Sequence, residues 1–132
     1  MQEGGDAAER ARAVLEAFLA AFTAADPTGI QDLFWPDALV WGTTMSELAT
    51  SPETVRAYFA PIGRRGPGER TARWSSGATL ALSASVVLIS GAWTVGPRAA
   101  EGGSTLALRL SLAVTEQQGC WRIAGFHSSP MP

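Results

Sequence analysis

Lysine and asparagine are absent from this chain of 132 residues, histidine and cysteine occur once each, and no apolar run approaches membrane-spanning length. Each absence excludes something. The lone Cys120 rules out an intrachain disulfide framework and a cysteine zinc cluster, and the lone His127 rules out a His-rich metal centre. No metal and no cofactor is therefore expected. A bilayer-spanning helix needs about 18 or more consecutive apolar residues, and none is present. Residues 1–5 lack the basic n-region of a signal peptide, so a cytoplasmic protein is expected. Ten basic against twelve acidic residues give a net charge of -2, which leaves no electrostatic footprint for nucleic acid or an anionic membrane. All ten basic residues are Arg, and with alanine this abundant the skew points to codon pressure, which lowers the functional weight of any single Arg.

What remains is a globular composition, 46% hydrophobic and 17% charged, in a chain of one domain's length, taken as 1–132. Residues 7–25 read as an amphipathic helix. Val14, Phe18 and Phe22 recur at i, i+4 and i+8, Leu15 and Leu19 widen the stripe, and Asp6 with Glu9 offers a capping box. Asp26-Pro27 closes it and starts a short second helix, 27–34. A brief strand at 38–41 follows. Ser51-Pro52-Glu53 opens a third helix, 52–63, with Val55, Tyr58 and Phe59 on one face. After a Gly- and Arg-rich loop the texture turns to β, with strands at 72–82, 86–95, 105–116 and 120–128 separated by turn chemistry. Helices first and strands afterwards is the α+β pattern, and the short breaks imply an antiparallel meander.

Strands of about ten residues span about 33 Å, more than three short helices cover if the sheet is flat. A sheet curled around the helices leaves a hollow at one end. Five Trp, five Phe and one Tyr suit it: they are either core and dimer contacts, or two or three Trp wall a cavity for a planar or polyene ligand.

The run Leu33-Phe34, Pro36-Asp37-Ala38, Val40-Trp41-Gly42-Thr43, the third-helix segment from Ser51 to Phe59, and the closing Gly119-Cys120-Trp121-Arg122-Ile123 with Phe126-His127-Ser128-Ser129 together resemble SnoaL-like proteins of the nuclear-transport-factor-2-like superfamily. The ending is also similar to the association domain of calmodulin-dependent kinase II. Trp41-Gly42-Thr43-Thr44 with His-Ser-Ser most resembles the SgcJ/EcaC group of enediyne polyketide biosynthesis. The resemblance implies a cystatin-like roll, that is, a cone of curved antiparallel sheet on three N-terminal helices. It further implies a homodimer and a pocket at the cone's open end, and no one activity: relatives are isomerases, cyclases, hydrolases, dehydratases, binders and oligomerisation modules.

None of the twelve acids falls inside the four long strands except Glu116, at a turn, so carboxylate-driven proton shuttling is disfavoured. His127 is either a satisfied structural residue or a pocket hydrogen-bonding group and general acid/base. A two-residue turn at Gln118-Gly119 requires positive φ at Gln118, which is disfavoured; a three-residue loop, Gln117 to Gly119, instead sets Arg109 directly opposite His127. Arg109 is then either an oxyanion-type anchor or an ordinary ion-pair partner. Trp41 and Thr43 are pocket-rim residues by resemblance. The expected site gathers Trp41, Tyr58, Trp93, Arg109 and His127 around one apolar cavity. Three functions stay open: a pocket protein binding or helping to process an apolar polyketide intermediate, an enzyme using His127 with Arg109, and a dimerisation module.

Overall fold

The computed structural model describes residues 2–97 and 104–132. Helix α1 spans Gln2–Thr23, α2 Pro27–Gln31 and α3 Pro52–Phe59; strands β1 (Phe34–Trp41), β2 (Arg70–Ser83), β3 (Val86–Pro97), β4 (Leu106–Gln117) and β5 (Cys120–Pro130) form one sheet in the order β1-β5-β4-β3-β2. The fold is α+β and cystatin-like, with helices packed on a curved sheet. One feature differs from the expected antiparallel sheet. β1 runs parallel to its neighbour β5, so the sheet is mixed. The meander β2 to β5 is antiparallel throughout. Of the expected 96–103 loop, residues 98–103, with Gly102-Gly103, lie outside the described residues.

The helical stripe buries as its spacing requires: Ala7, Ala11, Val14, Leu15, Phe18, Leu19 and Phe22 all face the core. Asp6 is not a cap, because α1 begins earlier and Asp6 stands 4.0 Å from Arg10 one turn on. α1 ends with Asp26 N–H bonded to Ala21 C=O and Ala25 N–H to Phe22 C=O, the Schellman arrangement, with Ala25 at φ 59°. Asp26 then caps α2 by accepting from Gly29 N–H. Ser51 and Thr54 form a reciprocal capping box at α3. α3 is shorter than expected. Pro61 has no N–H to continue the α-helical ladder, and the chain tightens into a 3₁₀ segment, Ala60–Arg64.

Leu108, Leu110, Leu112 and Val114 on β4 and Val87, Ile89, Trp93 and Val95 on β3 supply the sheet's inner face. At its centre Phe18 contacts Phe22, Phe59, Trp93 and Phe126 with ring centroids 5.4–6.1 Å apart in tilted or edge-on poses.

The last hairpin departs from expectation. Gln117 pairs with Cys120 across a two-residue turn, with Gln118 at φ 52° and Gly119 at φ 82°, a type I′ geometry. Two-residue connections of this hand match the twist of the flanking strands, and that match outweighs the cost of positive φ at Gln118. A bulge follows: Val114 pairs with Ile123 but Ala113 pairs with Gly125, leaving Ala124 extra. Arg109 consequently pairs with Ser129 and His127 with Ser111. The bulge also turns Ile123 inward beside Phe126, where simple alternation places it with His127.

Candidate functional site

Two concavities divide the expected site residues. The inner one, about 430 Å³, opens between α3, the 3₁₀ segment and the concave end of the sheet. Its walls include Phe22, Phe59, Ile62, Trp93, Leu108 and Phe126, and its polar rim is Thr43, Thr44, Tyr58 and Arg65. No Asp, Glu or His lines it among the described residues.

The rim is built by one close approach. A Cβ at Gly42 would collide with the Tyr58 ring, so only glycine lets that ring lie across the end of β1. Tyr58 Oη then accepts from Thr43 N–H at 3.0 Å. Thr43 Oγ1 donates to Ser128 Oγ at 2.8 Å, and Trp93 Nε1 donates to the same oxygen at 3.1 Å. Ser128 is 2% exposed and lies behind the wall, tying the loop after β1 to β3 and β5. Two donors on one hydroxyl oxygen make Ser128 a buried acceptor.

The outer concavity is a groove of about 480 Å³ on the opposite face of the sheet. Trp41, His127, Ser111 and Ser90 form one transverse row of paired residues across β1, β5, β4 and β3. The Trp41 and His127 rings are 6.5 Å apart, Ser90 and Ser111 share a 2.8 Å hydrogen bond, and Leu39, Leu48 and Leu88 flank the row.

The five expected residues therefore do not converge. Tyr58 and Trp93 line the inner cavity; Trp41 and His127 line the outer groove; Arg109 is on the outer face too, where its Nη2 donates to Pro130 C=O at 3.1 Å. Arg109 and His127 share a face but are not paired, because the I′ turn and the bulge shift the register. Of five Trp, only Trp93 lines the inner cavity, while Trp35 is held by its Nε1 bond to Thr115 Oγ1 and by Arg122 over its ring.

The Gly- and Arg-rich loop carries Arg65. This residue lines the inner cavity with its guanidinium 5.4 Å from the Phe22 ring centroid, and burial, then nearby Arg70, pull its pKa below the ordinary Arg value, against opposing effects of Glu69 and Tyr58. Among the described residues no three His, Cys, Asp or Glu side chains gather closely enough to hold a metal ion, and no helix is long and apolar enough to cross a membrane.

Solved structures with this geometry are numerous. A candidate calcium/calmodulin dependent protein kinase II association domain from Xanthomonas campestris is 23% identical, with TM-score 0.80 over 92% of this chain and 85% of its own. An NTF2-like protein of unknown function from Pseudomonas putida is 17% identical, with TM-score 0.82 over 95% and 87%. A candidate scytalone dehydratase from Novosphingobium aromaticivorans is 15% identical, with TM-score 0.82 over 100% and 89%. Likeness at such identities shows the NTF2-like fold. Among curated proteins none matches significantly. The family model for the SnoaL-like domain matches residues 11–132, and neither it nor these relatives reaches the enediyne subgroup. The chain belongs to the SnoaL-like domain family.

Proposed function

We propose that the inner cavity binds an apolar, unsaturated small molecule, which the protein holds or helps to process. The observation that carries this reading is the cavity's chemistry: aromatic and aliphatic walls, a rim of a few polar groups, and, among the described residues, no carboxylate or imidazole to shuttle a proton. One fold relative bears a dehydratase name, but acid–base chemistry of that kind lacks its usual groups in this cavity. His127 and Arg109, the acid/base and anchor of the enzyme reading, belong to the outer face. Saturable quenching of tryptophan emission by a neutral polyene such as all-trans-retinol tests the reading. Ala57→Phe, at an exposed lining position, should obstruct binding without disturbing the core. Absence of saturable quenching would overturn it.

The finer assignment, an enediyne-type polyketide intermediate, rests on the Trp41-Gly42-Thr43-Thr44 and His127-Ser128-Ser129 resemblance. A gene neighbourhood without a polyketide synthase would remove that assignment and leave the pocket.

A second reading has its own observation. Leu39, Trp41, Leu80 and Leu88 are exposed large apolar side chains, and a sheet face bearing them suits a homodimer interface. The likeness to a kinase association domain supports self-association, and this reading is compatible with the first because the two surfaces are on opposite faces.

A further inference from the structure

Arg65 Nη1 is inaccessible and has no hydrogen-bond partner among the described residues. That nitrogen is closed to the cavity, but Arg65 also lines the cavity, and a cation among apolar walls with no ion-pair partner among the described residues favours an anionic ligand. Among the described residues no protein group gives Arg65 a side-chain hydrogen bond. Glu69, the nearest acid in sequence, gives its Oε1 to Gly66 N–H at 3.1 Å, and neither described ion pair involves Arg65. The guanidinium carbon lies over the Phe22 ring, 5.4 Å from its centroid, a cation–π contact that holds the group at the cavity wall.

The rest of the rim is biased the same way. Tyr58 Oη accepts from Thr43 N–H, which leaves its own O–H free to donate. A cavity with apolar walls, an arginine, a phenol and the Thr44 hydroxyl, and no acid among the described residues, is complementary to a ligand with an apolar body and an electron-rich oxygen at one end.

We infer that Arg65 is the specificity-determining residue of the inner cavity, pairing with an anionic oxygen, carboxylate or enolate, at one end of the apolar ligand. The inference rests on the pocket reading above and narrows its ligand class. Burial of the guanidinium, which lowers its pKa by penalising the charge, strengthens the drive to pair with an anion.

The test compares all-trans-retinoate with all-trans-retinol, which share a polyene body and differ in the head group, by titrating tryptophan emission. Wild-type protein should bind retinoate at least about tenfold more tightly, the effect of one charge-assisted hydrogen bond. Arg65→Met should bring the retinoate-to-retinol affinity ratio down to about one, and Arg65→Lys, which keeps charge but not the planar fork, should retain the preference in part. Equal affinity of wild type for both ligands, or an undiminished preference in Arg65→Met, overturns the inference while the pocket reading stands. Saturable binding of neither overturns both.

Discussion

The indole N–H of Trp93 on β3 reaches across β4 to the hydroxyl of Ser128 on β5, 3.1 Å away, and so fixes the cavity's aromatic wall. The same hydroxyl receives Thr43 Oγ1, so a single buried oxygen serves two donors from two other segments.

Ser128→Ala should lower stability by about 1–3 kcal/mol, the cost of leaving buried donors without an acceptor. Urea denaturation measures it. Unchanged stability would mean that Trp93 and Thr43 find other partners at no cost.

Gly42→Ala should displace the Tyr58 ring, because a Cβ there overlaps it. Overpacking of this kind costs about 1–3 kcal/mol. The displaced phenol should also weaken ligand binding, so thermal unfolding and the retinol titration should move together. A variant that loses neither would contradict the close approach.

Two residues with side chains occupy left-handed backbone at turns, Ala25 at φ 59° and Gln118 at φ 52°. Ala25→Gly and Gln118→Asn should each stabilise by up to about 1 kcal/mol, since these residues tolerate that region better. The sites are independent and the gains should add. Chemical denaturation of both single variants and of the double variant checks this.

Sedimentation at micromolar concentration should give a dimer, and Leu88→Glu on the outer face should shift it to monomer. Retinol binding in the inner cavity should survive the change. A wild-type monomer would remove the dimer proposal.

Local signals made the helices and the meander legible before any coordinates. Val14, Phe18 and Phe22 mark α1, Asp26-Pro27 and Ser51-Pro52 mark two caps, and alternating Leu108, Leu110, Leu112 and Val114 mark β4. Non-local and compensated features were not legible. Parallel pairing of β1 with β5 joins segments at opposite ends of the chain. Ala124 carries no mark of a bulge, yet it reverses which face Ile123 occupies relative to His127. Positive φ at Gln118 is locally unfavourable and is accepted because strand twist selects the turn. Of the expected site residues, Tyr58 and Trp93 line one cavity while Trp41, His127 and Arg109 lie on the opposite face, and Arg65 carries no local signal because its place beside Phe22 depends on α1 packing over the loop.

The sheet has two rims, and both are blunted. Along β1, Pro36 has no N–H to offer, and Val40 exchanges both backbone bonds with Ala49 at 2.9 and 3.0 Å. Along β2, Ala72 N–H is taken by Thr23 Oγ1 at 2.9 Å, and an extra residue at Ser75 breaks the ladder. Proline, bulges and local bridges are the devices by which natural sheets refuse an added strand. These devices interrupt both edges of the sheet, and concentrated samples should remain negative to an amyloid dye even with apolar side chains exposed on the sheet's face.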